Sequence, residues 1–462
     1  MIYDVVILGA GPAGISCALE LAQNGIHSLI IDENPAPGGQ IYRGIEQNQS
    51  NQEITNWLGV DYQIGNKLIS EAKDNHNIEW KLNVSLWDIR HEEQFCELGV
   101  LIEDRVQVIR ARNVVLANGA MERPTPFKGW TLPGVMTIGA AQTALKQSGI
   151  IPKNGVVLAG QGPLFYLYTA QILEAGVKPR AVLDFSTRSP SIENIPSALS
   201  ALVNAPKYVL KGLYLRNKIK RRKIPHYYGV DSLSALGEEL LTSVEFKTNG
   251  ASKSFNTDLL LVHDGVVPNT HVSMAAGCEH YWSQSQSAWL PKVNQAGQSS
   301  LDRIWISGDG VSILGAEAAK LRGKACAQQI EATLKQTEKS GKTLDRKIHR
   351  LQKLREFLDR EYAPAKFITE PDDETLLCRC ESISAGTIRK IIDQGCMGPN
   401  QLRAFCRAGM GPCMGRQCGL SIGKVFEKHT GYSVADIGHF SVRTPLKPLT
   451  IEQLATLETN LE

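Results

Sequence analysis

Apolar residues come first as a short run, Val5-Val6-Ile7-Leu8, broken at once by Gly9-Ala10-Gly11-Pro12-Ala13-Gly14. From Ile15 to Gly25 they return at helical spacing, with Ala18, Leu19, Leu21 and Ala22 on one side. Ser28-Leu29-Ile30-Ile31 is a second run, closed by Asp32-Glu33. The pattern predicts strand, glycine turn, helix, strand and acid. A related pattern follows later: Val156-Val157-Leu158-Ala159, Gly160-Gln161-Gly162-Pro163-Leu164-Phe165, a helix through Gly176, then Ala181-Val182-Leu183-Asp184. Between the two units, Val106 to Ile109 alternates like a hairpin arm, and Asn113 to Ala120 reads as a buried strand ending in a glycine turn. Met121 to Val135 is a Pro/Gly-rich crossing segment suited to joining two domains. Ile304 to Asp309 reads as a strand, and helices are expected over 315–332 and 343–362. The second helix carries Leu344, Ile348, Leu351, Leu354 and Leu358 on one stripe, which reads as packing. Lys335 to Gly341 is a polar linker, and no shorter internal repeat is present.

The chain has 462 residues, enough for about three domains. Its net charge of +3 argues neither for nor against a nucleic-acid partner, and none is expected. No apolar leader precedes the first strand, and the least charged stretch, Gly129 to Leu145, is broken by Pro133, Gly134 and Gln142. A cytoplasmic protein without a transmembrane segment is expected. One segment complicates that picture. Asn204 to Pro225 carries Lys207, Lys211, Arg216, Lys218, Lys220, Arg221, Arg222 and Lys223 with no acid, and leucines and tyrosines interleave. It reads as a solvated helix face, a contact with another protein chain, or a basic amphipathic helix peripheral to the inner face of the membrane.

The first unit has the chemistry of a dinucleotide cradle. Gly9 makes the tight turn, Gly11 lets backbone N–H groups approach a pyrophosphate, and Gly14 lets helix pack on strand. Pro12 and Ala13 open the helix, whose N-terminus favours negative charge. Asp32 is spaced to hold the ribose, with Glu33 as the neighbour able to substitute. Gly38-Gly39-Gln40 is either a plain loop or a backbone laid against a bulky ligand. In the second unit Phe165 takes the third glycine position, which predicts a Rossmann-type domain with a weakened or lost nicotinamide site.

Of ten cysteines, six lie between Cys378 and Cys418, which suggests a metal site rather than disulfides. Cys378-Arg379-Cys380 is separated by 32 residues from Cys413 and Cys418. Four thiolates in two pairs suit one zinc or a two-iron cluster, and the tight C-x-C favours iron. An oxidised 2Fe-2S core with four thiolates carries a charge of about −2. Arg379, Arg407 and Arg416 are placed to offset it, and Gly409, Gly411 and Gly415 free backbone N–H groups for the sulfurs. Ser384 is expected to cap a helix through Gln394, and another helix is expected over 415–429. Cys396 and Cys406 read as buried thiols, with Cys406 an outside candidate ligand. Cys17, Cys96, Cys278 and Cys326 read as core.

The first glycine motif, Gly38-Gly39-Gln40, Leu116-Ala117-Asn118-Gly119 and Ile306-Ser307-Gly308-Asp309-Gly310 together resemble the two-dinucleotide-domain flavoproteins. That resemblance implies FAD on the first motif, with Gly119, Gly308 and Asp309 also on the cofactor and Asp309 on its ribityl chain. Asn118 stands where the family has Thr. The cysteine segment resembles the bacterioferritin-associated-ferredoxin-like 2Fe-2S domain, with four rather than two residues inside its second pair. Gly409-Met410-Gly411-Pro412-Cys413, Asp264 to Asn269 and Gly38 to Arg43 resemble one flavoprotein group in particular: the alpha subunits of dye-linked D-hydroxyproline or proline dehydrogenases, opine oxidases and hydrogen cyanide synthase. Ala408 departs from the Cys expected there.

The fold implied is α/β: two Rossmann-type dinucleotide-binding domains, the first discontinuous, plus a small C-terminal helical 2Fe-2S domain. The boundaries are 1–122 with 275–335 for FAD, 123–274 for the second domain, 336–370 for a helical linker, 371–435 for the cluster and 436–462 for a tail. The implied function is an electron-transfer subunit. A partner flavoprotein in a hetero-oligomer, with room for a small third subunit, oxidises the amino acid, and this chain passes electrons to an external acceptor. The alternatives are a self-sufficient NAD(P)H-dependent oxidoreductase and a non-catalytic iron–sulfur module. No catalytic residue is assigned. His263 and His226 are candidate bases, but a lone strand His is usually structural. No C-x-x-C lies in the flavin domains, so a dithiol mechanism is not expected. Proline, hydroxyproline, an opine and glycine all fit as the substrate.

Overall fold

The computed structural model describes residues 2–189, 191–337 and 342–457. Its first sheet has seven strands. Ile78–Leu82, Ser28–Asp32, Ile2–Leu8 and Arg105–Leu116 run parallel in that order, and Ile304–Ile306 adds a parallel partner to Arg105–Leu116. Cys96–Ile102 and Ser85–His91 extend the sheet antiparallel. The alternating run at Val106 and the apolar run at Val114 are one twelve-residue strand that changes partners along its length. Its first half lies beside Cys96–Ile102 and alternates in burial. Its last four residues, Asn113 to Leu116, run beside parallel neighbours and are all buried, and the strand ends at Leu116 rather than Ala120.

The helix Pro12–Gln23 packs on the long closing helix Ala316–Lys335. The second sheet is fully parallel: His226–Tyr228, Ala181–Asp184, Val157–Gln161, Leu260–Asp264 and Val135–Thr137. A three-stranded antiparallel sheet, Val230–Leu236, Ser243–Thr248 and Ala251–Asn256, covers one face. The two crossings between the units, Ala120–Glu122 and Val266–Pro268, pair with each other as a two-stranded ribbon.

Beyond the closing helix, the linker helix Lys342–Glu361 buries Ile348, Leu351 and Leu354, as the stripe predicts. The C-terminal unit has a core of its own around Ile388, Leu402, Ile422, Phe426 and Phe440. Ser384 caps the helix Ala385–Asp393 by accepting from the Thr387 N–H. The helix expected from Gly415 starts only at Gly419, because Cys413 to Cys418 is spent on turns. The chain then straps back over the first sheet. Lys447 pairs with Glu33, and Thr456 accepts from the Val106 N–H.

Two histidines sit where the C-terminal unit meets the first. His271 lies against Met414, Gly415 and Arg416, and His280 lies edge-on to His439. Burial holds both imidazoles down to about 4. A base whose folded pKa lies below its unfolded value favours folding above the unfolded pKa and opposes it as pH falls. Stability is therefore expected to be full above pH 6.5 and to drop between 6.5 and 4, by up to about 3 kcal/mol for each histidine. Thermal melts across that window check this, and His271→Gln should flatten the profile.

Candidate functional site

The residues of the first glycine motif converge on one cradle. The Gly9 N–H donates to the Ile31 carbonyl, which brings the turn over the second strand. A Cβ on Gly14 would run into the Gly9 carbonyl, so only glycine lets this helix reach its strand. The loop from Asn34 to Arg43 folds back: the Gly38 N–H donates to the Ala10 carbonyl, and a Cβ on Gly39 would lie 2.9 Å from Gly11 Cα. From the far end of the chain, Gly308 packs on Ala13. Gly310 lies near Asn118 and Gly119, so the late strand end and the Gly119 turn meet. Asp309 accepts from the Leu314 and Gly315 N–H groups, and Arg322 donates to the Gly308 carbonyl.

The two candidate ribose acids separate clearly. Asp32 is buried; its Oδ2 accepts from the Ala10 N–H at 2.6 Å and its Oδ1 from the backbone and side chain of Asn34. A carboxylate has about four acceptor positions, so one remains for a ligand. Glu33 is exposed and paired with Lys447 of the tail. Gln40 is exposed, and the structure brings only its backbone to the site. Its carbonyl accepts from Lys146, which sequence reasoning missed. Lys146 is buried, also donates to Gln142, and burial with the neighbouring Arg43 charge pulls its ammonium down to about 7. The available signal was a lysine on the buried face of the helix Ile138–Ser148.

Neither histidine singled out as a base stands free. His263 bonds Glu122 at 2.7 Å. Burial pushes the Glu122 carboxyl up, but His263, Thr137 and the Gly139 N–H outweigh it and hold it below the ordinary range. His226 stacks on Tyr228 and bonds Asp184.

The second glycine turn is covered by the chain itself. Phe165 is fully buried and edge-on to Tyr166. The Gln161 amide donates to Asp264 at 2.8 Å and to the Ala363 carbonyl at 2.7 Å. Tyr362 lies against Gly162 and Tyr166. Asp184, at the ribose position, is fully buried and accepts from Tyr166, the Ser186 backbone and the Ser186 hydroxyl. The end of the linker helix thus occupies the turn, and the acid has no capacity left.

The four cysteines come together as two pairs. Cys380 and Cys413 have their sulfurs 3.6 Å apart, and Cys378 hydrogen-bonds Cys418. The Cys418 thiol, with N–H groups of Gly409, Glu381 and Cys380, outweighs burial and lowers Cys378 to about 6. A Cβ on Gly411 would run into Cys380, so the two cysteine loops touch there. Arg407 is taken by Glu381 at 3.1 Å rather than turned to the sulfurs, and Arg379 is exposed. Cys396 and Cys406 donate to the Gly398 and Leu402 carbonyls. Among the described residues, no group of three or more His, Cys, Asp and Glu closes around a single metal ion.

A Cβ on Gly11 would meet only Gly39, at 3.8 Å. Gly11→Ala is therefore expected to fold, with unchanged circular dichroism, while losing most of its flavin. Full flavin content in that variant contradicts the cradle. Gly14→Ala should fail to fold normally.

Residues 3–163 match the family model described as pyridine nucleotide-disulphide oxidoreductase. An opine oxidase subunit of Agrobacterium tumefaciens (strain Ach5) is 38% identical, over 98% of this chain and 92% of its own. Hydrogen cyanide synthase subunit HcnB of Pseudomonas protegens is 30% identical, over 97% of each chain. The crystal structure of L-proline dehydrogenase from P. horikoshii shares the fold, with a TM-score of 0.71 at 20% identity over 98% of this chain and 79% of that one. With this similarity running along almost its whole length, the chain belongs to the FAD-binding oxidoreductase family that includes this opine oxidase subunit.

Proposed function

We propose that the chain is the FAD- and 2Fe-2S-carrying electron-transfer subunit of a hetero-oligomeric dehydrogenase or oxidase for D-hydroxyproline-, proline- or opine-type substrates. A partner flavoprotein oxidises the substrate, and this chain relays the electrons to an external acceptor. Bound together, a flavin accepts electrons in pairs and an iron–sulfur cluster releases them singly.

The observation that carries this reading is a short path of contacts between the two candidate cofactor sites. The Asn118 side chain donates to the Asn269 carbonyl at 2.8 Å, and the Asn269 N–H donates to Gly119 at 3.0 Å. Two residues on, His271 lines one small cavity with Met414, Gly415 and Arg416, directly after Cys413. The glycine turn of the cradle and a cysteine of the quartet are therefore linked through short stretches of chain, from 118–119 to 269–271 to 413. The Asn in place of Thr at 118 has a reason here, because its longer amide reaches Asn269.

The residues fit both groups. The cradle keeps its glycines, its helix N-terminus and one open position on Asp32. The thiols stand in two pairs, and N–H groups already point at Cys378, as a negatively charged cluster requires. This pairing supports two irons over one zinc, which needs all four sulfurs around one point. The self-sufficient nicotinamide reading is disfavoured by the covered second turn. The non-catalytic module is disfavoured by the intact cradle and by the oxidoreductase family.

Anaerobically prepared chain is expected to contain about two irons and to give a two-iron EPR signal on reduction. Cys413→Ser should lower iron content and leave flavin in place. One zinc and no iron would overturn the cluster assignment.

A further inference from the structure

The helices Ile195–Asn204 and Pro206–Arg221 meet at Ala205 and form a corner outside both sheets. Their inner faces are satisfied: Ala201 and Ala205 pack with Leu354 of the linker helix, and Tyr208 and Val209 join Phe357 and Leu358. Their outer faces are also apolar. Of the 23 large apolar side chains exposed among the described residues, eight lie between Ile192 and Tyr214. Ile192 is 84% exposed and Val203, next to the corner, 81%. Ile195, Leu199 and Leu202 recur at helical spacing on the first helix, as do Leu210, Leu213 and Tyr214 on the second. A helix apolar on both sides is normally buried, so this surface calls for a cover.

Glu193 is exposed beside Ile192, just before the first helix, but within the two helices themselves the charge has one sign. No Asp or Glu occurs from Asn194 through Val230, whereas eight Lys and Arg do. Some of these are used internally: Lys211 pairs with Asp61, Lys218 and Arg222 with Glu174, and Arg216 lies over Tyr166 and Tyr228. Lys220, Arg221 and Lys223 are exposed, with no acidic partner within ion-pair distance among the described residues.

Two kinds of cover differ in the composition they select. Protein interfaces concentrate aromatics, Met and Arg at their centre, deplete Lys, and draw little energy from Leu and Val. Helices that lie in a lipid surface combine aliphatic side chains with a Lys/Arg face. This corner has Ile, Leu and Val with one Tyr, and the second helix ends in the unpaired Lys220, Arg221 and Lys223. We propose that the corner formed by these helices docks on an anionic lipid bilayer, its aliphatic face at the acyl boundary and Lys220, Arg221 and Lys223 among the headgroups. The contact is peripheral, since among the described residues no helix is long and apolar enough to cross a membrane. The inference stands apart from the electron-transfer reading, and its test needs neither cofactor nor substrate.

The test is sedimentation of the full chain with phosphatidylcholine vesicles, with and without phosphatidylglycerol. Binding is expected only with phosphatidylglycerol, falling as salt is raised. Lys220→Gln with Lys223→Gln should weaken it roughly 30-fold, at about 1 kcal/mol per basic residue. Leu199→Asp with Leu210→Asp should abolish it with unchanged circular dichroism. Leu213→Trp should report insertion by quenching from brominated acyl chains. Failure of the wild-type chain to bind either vesicle overturns the proposal, as does unchanged binding in the Asp variant. A dimer that Val203→Asp dissociates, without vesicle binding, would overturn it in favour of a second copy.

Discussion

One side-chain amide sets how the parts of this protein meet. Gln161, at the tip of the second glycine turn, gives its two N–H bonds to Asp264 and to the Ala363 carbonyl. Asp264 is buried beside Arg123, which in turn bonds the Gln286 and Ser287 carbonyls of the first unit. Burial pushes the Asp264 carboxyl up to about 6, with Arg123 and Gln161 opposing it. Without the linker Gln161 would lose one of its two amide partners, and stripping a partner from a buried polar group costs about 1–3 kcal/mol. The same bond that anchors the linker covers the turn where a nicotinamide dinucleotide would lie. The closed second site and the fixed position of the C-terminal unit are thus one structural fact.

The remaining arrangement follows from that anchoring. With the linker held, the C-terminal unit lies against the strand-to-helix segment at Asn269 to His271, and the tail returns over the first sheet to pair Lys447 with Glu33. Glu33 is thereby removed from the cradle and Asp32 left in it. Lys146 donates to the Gln40 carbonyl, so the loop over the cradle is held by a buried amine whose pKa burial lowers to about 7. The two candidate sites are thus joined through the Asn118–Asn269 contact.

What was legible in the sequence was local. The Gly9 to Gly14 turn, the Phe165 position and the Ser384 cap each depend on neighbours a few residues apart, whereas the cysteines pair across the two loops, Cys380 with Cys413 and Cys378 with Cys418. What was not legible depends on distant partners. Nothing near Gln161 announces Ala363, some two hundred residues on, and nothing near Asn118 announces Asn269. The strand Arg105–Leu116 read as two elements because its burial changes where its neighbours change. The helix expected at Gly415 lost its first turn to the cysteine loop, and Arg407 was drawn to Glu381 rather than to the sulfurs. Local pattern names the chemistry; long-range contacts decide which copy of it is open.

The central claim is that electrons reach this chain from a partner flavoprotein and not from a nicotinamide. The most direct measurement is the rate at which the reduced two-iron EPR signal appears after anaerobic mixing, read by freeze-quench. The chain alone with NADH, the chain alone with D-hydroxyproline, proline or an opine, and the chain with its partner flavoprotein and the same substrates are compared. The account predicts no signal on the catalytic timescale from either solo mixture and a rapid signal when partner and substrate are both present. A fast, saturable signal from NADH and the chain alone, or from an amino acid without the partner, would contradict it.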